Sequence, residues 1–228
     1  SACSSEESAA GSSFEPATPG VLTVATAFLP APGFWEGRSA DAGGFEAGLA
    51  LALAKHLGLD RVKVVQVPFA SLAAGKLGGA DIALSQLTPT EEREKVVDFS
   101  SQYLSAPPAI LALRTVDASD VHGLQELSWV TSRVSTLTPF VQERIRPKSP
   151  PLVVEDRTAA LTVLRGGGAE ALMLDLPVAE GLAHSDPDRF HVLGQLDADE
   201  GLAAALPQGS HNVEVVDSAI HSLTADGT

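Results

Sequence analysis

Apolar residues in this chain recur with two different periods, and the alternation between them is run through twice. Val21-Leu-Thr-Val-Ala-Thr26 is a β-branched run behind Pro19-Gly20 and predicts a strand, whereas the Pro/Gly-broken stretch 29–44 predicts a long loop. Phe45, Leu49, Leu53 and Leu57 then recur every fourth residue, with Gly58 where a helix C-cap belongs, which predicts a helix over 45–58. Residues 62–67 predict a strand, 71–77 a short helix and 81–84 a buried strand. Beyond the polar run 91–95 and the apolar segments 96–99 and 109–113, the order starts again. Strands are predicted at 129–131, 152–154 and 171–174, with helices at 139–145 and 157–165, the second ended by Gly166-Gly-Gly168. The apolar run 190–193, a strand at 201–206 and a helix at 213–223 complete the chain. Strand and helix in alternation predict an α/β fold with a largely parallel sheet. Two units with the same order of parts, and no sequence repeat between them, predict two lobes with a cleft between.

Composition removes several functions. With 29 acidic against 15 basic residues the net charge is −14, a field that repels phosphate backbones, so no nucleic-acid partner is expected. The apolar stretches fall well short of the ~18–20 residues of a membrane span. One cysteine excludes an intramolecular disulfide framework and a cysteine-rich zinc site, and the histidines at 56, 122, 184, 191, 211 and 221 form neither an H-E-x-x-H pattern nor an i,i+4 pair. No metal and no cofactor are expected. Gly166-Gly-Gly168 closes a helix rather than opening one, which is the wrong context for phosphate, and no G-x-S-x-G elbow is present.

Several single residues admit two readings. Arg93 in Glu91-Glu-Arg-Glu-Lys95 reads from spacing as a solvated arginine pairing along a helix. Asp175 stands just past the apolar run 171–174, at the strand end where α/β sheets present ligand groups, or is a turn former before Leu176-Pro177. Ser135 and Thr136 suit a helix N-cap, Glu46 a favourable negative charge at a helix start, and Arg133 either an acidic ligand group or solvent. The opening Ser1-Ala-Cys3 and the polar run behind it read as a flexible tether over 1–20. Small residues before a lone cysteine also resemble a bacterial lipobox, in which Cys3 becomes the lipidated first residue of an exported protein. A stray thiol in a tail is the plainer alternative.

From Val21 to the end the chain resembles the polar-amino-acid family of bacterial extracellular solute-binding proteins, the two-lobed receptors of ABC importers. The resemblance rests on Leu22-Thr-Val-Ala-Thr26, Gly44-Phe-Glu46, Gly79-Ala-Asp-Ile82, Leu174-Asp-Leu-Pro177 and the segment 223–228. Most specific is Thr88-Pro-Thr-Glu-Glu-Arg93-Glu-Lys95-Val-Val-Asp98-Phe-Ser100, which follows the family's T-x-T-x-x-R-x-K-x-x-D-F-S pattern. The family usually adds one more helix where this sequence stops, which suggests trimming or disorder there.

The resemblance implies a type 2 periplasmic-binding-protein fold, with 21–112 and 199–228 as lobe 1 and 113–198 as lobe 2, closing about 110–118 and 190–200. It implies an amino-acid ligand, an ABC permease as partner, a monomer, and an extracytoplasmic protein held to the membrane only through Cys3. Arg93 becomes the carboxylate clamp, because its planar fork donates two parallel hydrogen bonds. Thr88 and the 85–88 loop, Gln86 included, complete that contact. Asp175 takes the α-ammonium, Ser135 and Thr136 close over the carboxylate, and Phe69 with Phe34 (or Phe28 or Trp35) forms apolar walls. Two positions depart from the pattern: Val134 where glycine is usual, and Ala27 where many relatives are acidic. The same fold also serves cyclohexadienyl-type dehydratases, peptidoglycan transglycosylases and sensor ectodomains. No second convergent titratable group is evident, so no enzyme is expected, and the identity of the bound side chain stays open.

Overall fold

A computed structural model describes residues 13–228. The first unit comprises β1 (Val21–Thr26), α1 (Phe45–His56), β2 (Arg61–Gln66), α2 (Phe69–Ala73), β3 (Ile82–Ala83), α3 (Glu91–Glu94) and β4 (Val97–Ser105). The second comprises β5 (Pro108–Leu113), α4 (Val121–Glu126), β6 (Trp129–Ser132), α5 (Thr138–Phe140), β7 (Leu152–Val154), α6 (Arg157–Arg165), β8 (Ala171–Asp175), α7 (Leu176–Ser185) and β9 (Phe190–Gln195). The chain then returns to the first unit with β10 (Gly201–Pro207) and α8 (Val213–Asp226).

Each unit holds one five-stranded sheet, ordered β2-β1-β3-β10-β4 and β7-β6-β8-β5-β9. Both have the same plan. The strand next to one edge, β1 or β6, pairs in parallel with both neighbours across helical connections, and two further strands close the far side antiparallel. The sheets are therefore mixed, not largely parallel as the alternation predicts. The strands next to the crossover arrive from the other lobe, so no βαβ connection sets their direction. The pattern of burial follows position. β1 is buried at every residue, as an apolar run covered on both faces must be, while edge strand β2 alternates exposed and half-buried.

β5 pairs with β8 and β9, so it belongs to the second sheet and not to lobe 1. The chain crosses between lobes at 106–107 and 196–200, not near 110–118, and the Ala106 N–H donates to the Glu200 carbonyl at 2.9 Å, holding the two crossings side by side. The tether reading also needs correction. Phe14 is buried in the core, Asn212 exchanges hydrogen bonds with the Glu15 backbone at 2.8 and 2.9 Å, and Asp81 receives the Ala17 N–H at 2.7 Å. Residues 14–18 thus belong to the first lobe, and Cys3 lies outside the described residues.

Helix ends follow their caps. Asp120 and Asp156 each accept a backbone N–H at 2.8 Å to open α4 and α6. α7 is a helix the periodicity does not reveal; Pro177 sits in its first turn, where a missing N–H costs nothing. The helix expected over 139–145 continues from α5 as a π-helical turn over Val141–Ile145 and ends at Arg146 with φ +60°. No described helix is long and apolar enough to cross a membrane.

Candidate functional site

The carboxyl ends of β1, β3, β6 and β8 face one another across the lobe boundary, and the cleft there gathers seven of the eight expected ligand residues. Arg93, Thr88, Gln86 and Phe69 line it from the first lobe, and Ser135, Thr136 and Asp175 from the second. The free space is small, about 60 Å³. Phe34 is not among them. It is buried at 2% exposure, meets Phe45 edge-on with ring centres 6.4 Å apart, and faces a neighbouring chamber instead. Phe28 takes the place expected of it and stacks on Phe69 at 5.8 Å, too close for a ligand to lie between the two rings. The aromatic wall is a shelf rather than a sandwich.

Arg93 is no solvated helix arginine. Thr90 caps the single turn of α3 by accepting the Arg93 N–H, and this turn drops the side chain into the cleft, where 7% of the residue stays exposed. Its guanidinium donates to the Thr88 carbonyl at 2.8 Å and across the lobes to the Val134 carbonyl at 3.1 Å, and it lies 5.3 Å from the Phe69 ring centre. Burial lowers its pKa, and the charge of Asp175 opposes that. Asp175 ends β8 and opens α7 without using its side chain as a cap. Its carboxyl is pushed up to about 7, first by burial, against the opposing pull of Arg157. Among the described residues three buried side-chain oxygens lack a partner, and two of them, Asp175 Oδ1 and Thr131 Oγ1, belong to residues lining this cleft. Native interiors rarely leave such groups unpaired.

Residues 22–228 match the family of bacterial extracellular solute-binding proteins, family 3. The chain belongs to that family.

Among curated relatives of this chain, the arginine-binding extracellular protein ArtP of Bacillus subtilis is 31% identical over 192 residues, 81% of this chain and 73% of the relative. The glutamine-binding protein of Geobacillus stearothermophilus is 29% identical, and the match spans 67% of this chain but only 59% of that relative's length. Among solved structures, an amino acid ABC transporter substrate-binding protein of Streptococcus pneumoniae bound to L-arginine superposes with a TM-score of 0.75 at 27% identity, covering 92% of this chain and 90% of that one. The two-lobed fold is that of the type 2 periplasmic binding proteins.

Two residues in and behind this cleft escape the sequence reading. Glu46 is not a solvated helix-start charge. Its carboxylate is fully buried and accepts from Trp35 Nε1 at 3.0 Å, the Gln86 N–H at 2.8 Å, the Tyr103 hydroxyl at 2.5 Å and Gln86 Nε2. Burial raises its pKa and these four donors oppose the rise. The bonds hold Gln86 at φ +48°, a left-handed conformation that costs most residues energy. Arg157 lays its guanidinium 3.7 Å from the ring centre of Phe28 and donates to Gln86 Oε1 at 2.7 Å. The one sequence signal for it is an electrostatic misfit, since a cation in the first turn of a helix opposes the macrodipole. Arg133, by contrast, is exposed and pairs with Glu155 at 3.5 Å, away from the cleft. No cluster of metal-ligating side chains occurs among the described residues.

Proposed function

We propose that this chain captures a free amino acid in the cleft between its lobes, outside the cytoplasm, and presents it to the permease of an ABC importer. The unpartnered Asp175 Oδ1, buried in the same cavity as the Arg93 guanidinium, carries this reading. A zwitterion supplies a carboxylate for the arginine and an ammonium for the aspartate, satisfying both desolvated charges at once. The hydroxyls of Thr131 and Ser135 and the Thr136 residue lie on the same wall to complete the carboxylate contacts.

Closure follows from the same contacts. Arg93 bonds Val134 and Arg157 bonds Gln86 across the lobes, and a ligand held from both sides adds to these bonds only in the closed form. That difference in affinity shifts the population toward closure, which is the state a permease reads. The paired crossings at 106–107 and 196–200 are the natural hinge. Relatives named as arginine-binding and glutamine-binding agree with this function. Lipidation of Cys3, anchoring on the outer membrane face, a monomeric state and the absence of catalysis complete the proposal.

Isothermal titration of the purified protein with the twenty common amino acids tests it. At least one should bind with micromolar or tighter affinity, and Arg93→Ala should abolish that binding while leaving the circular dichroism spectrum unchanged. Absence of any amino-acid binding, or undiminished binding by Arg93→Ala, would overturn the reading.

A further inference from the structure

We propose that Arg157 reads the ligand's side chain and selects amino acids whose side chain ends in a carbonyl or carboxylate oxygen, excluding basic ones. The inference rests on the amino-acid-binding function above and names the substrate class of that site.

The Arg157 side chain reaches from the first turn of α6 to the first lobe, where the guanidinium stacks on Phe28 and gives one N–H to Gln86 Oε1 at 2.7 Å. That is the only hydrogen bond it makes to the described residues, although a guanidinium carries five donors in a rigid fork. Glu46 and Asp175 act on it by charge, but neither forms a close ion pair with it. Glu46 is already saturated by four donors. Gln86, held by Glu46, in turn fixes where Arg157 points.

Arg157 also stands where the cleft meets a second chamber. That chamber, about 260 Å³, lies between the Pro30–Phe34 loop and α6, shares Phe28 and Arg157 with the cleft, and is otherwise mostly apolar. With Arg93 and Asp175 given to the zwitterion, a ligand side chain passing Phe28 arrives at the unused donors of Arg157. An oxygen there completes the fork. A guanidinium or ammonium meets like charge in a partly desolvated space, and an apolar end leaves the donors unpaired. A site built to hydrogen-bond one group rejects analogues lacking it far more strongly than an apolar pocket separates sizes.

Titration calorimetry with glutamate, aspartate, glutamine, asparagine, arginine, lysine and norvaline decides the matter, norvaline being the glutamate-length side chain without its oxygens. The wild-type protein should bind at least one of the four oxygen-ended ligands on the order of a hundredfold or more tighter than norvaline, arginine or lysine. The acidic and amide arms identify which oxygen source it prefers. In Arg157→Met, which keeps the length and removes the donors, the advantage over norvaline should fall below about tenfold. Arginine or lysine binding as tightly as the oxygen-ended ligands, or norvaline matching them, overturns the inference while leaving the amino-acid-binding function standing. An advantage that survives in folded Arg157→Met overturns it also. Absence of binding by every compound overturns the underlying function, and this inference with it.

Discussion

Arg93, rooted in the first lobe, donates to the carbonyl oxygen of Val134 in the second at 3.1 Å. The resemblance leads one to expect glycine at Val134, and the contact explains why valine serves. Its φ is not positive, so no glycine-only conformation is needed, and it presents its carbonyl rather than its N–H to the clamp. The arginine is thus engaged by both lobes, one nitrogen on Thr88 and one on Val134, and Asp175 lines the same cavity.

The carboxyl group opposite sets a pH dependence. Asp175 is pushed up to about 7, chiefly by burial, while Arg157 and Arg93 pull it down and Glu200 and Glu46 raise it further. Only the ionised form pairs with an α-ammonium. Affinity should therefore be flat between about pH 8 and 9, where the ligand keeps its ammonium, and fall by about tenfold per unit below about 7. The unliganded protein should respond in the opposite sense. A carboxyl whose folded pKa is raised favours the protonated native state, so stability is lost as pH rises from about 4 to about 7. Titration calorimetry and thermal unfolding between pH 5 and 9 check both slopes, and Asp175→Asn should flatten both while weakening binding. A pH-independent affinity in the wild-type protein would remove Asp175 from the ammonium site.

Glu46 should prove structural as much as functional. It ties Trp35 of the Pro-rich loop, Tyr103 of β4 and Gln86 of the cleft into one buried cluster. Removing the acceptor in Glu46→Ala leaves buried donors without partners, at roughly 1–3 kcal/mol for each that water cannot reach. The expected loss is about 3 kcal/mol, read as a lower urea midpoint with tryptophan fluorescence as probe. Ligand affinity should fall with it, because Gln86 is released. Glu46→Gln, which keeps the shape and half the acceptors, should lose less. A change under about 1 kcal/mol in Glu46→Ala would show that the cluster relaxes without its centre.

The parts of this fold legible in the sequence are those whose signal is local. The i+4 recurrence from Phe45 to Leu57 marks α1, and the glycines after Arg165 mark the end of α6. The sheet membership of β5 is not local, since an apolar strand carries no mark of which lobe it pairs in. α7 was hidden because a Leu-Pro pair reads as a turn until its neighbours show it to be a helix start. In the site, Arg93 and Asp175 were visible through a motif rather than through spacing. Arg157 and Glu46 were hidden, because each matters through partners more than 30 residues away: Phe28 and Gln86 for the first, Gln86 and Tyr103 for the second. Phe34 and Phe28 could not be told apart, since both follow the first strand and only the path of the loop decides which ring faces the cleft.

That loop also meets the second lobe, and the meeting point gives a test of closure that leaves Arg93 and Asp175 untouched. Gly181 lies within α7 directly against Pro32, so a Cβ there would overlap the Pro32 carbonyl oxygen and come to 3.0 Å from its carbon. Neither residue lines the cleft that holds Arg93 and Asp175. Gly181→Ala should therefore oppose the close approach of the lobes while sparing Arg93 and Asp175. Helix propensity favours alanine over glycine by roughly 0.5–1 kcal/mol, so the unliganded variant should unfold at the same temperature or slightly higher. Affinity should fall about tenfold, the effect of about 1.4 kcal/mol of strain confined to the closed form. Gly48→Ala is the matched control, because a Cβ at that position of α1 meets nothing within 4 Å. It should gain the same helix stabilisation and bind as the wild type does. If Gly181→Ala also binds unchanged, the loop yields to the methyl group and the Pro32 contact does not limit closure.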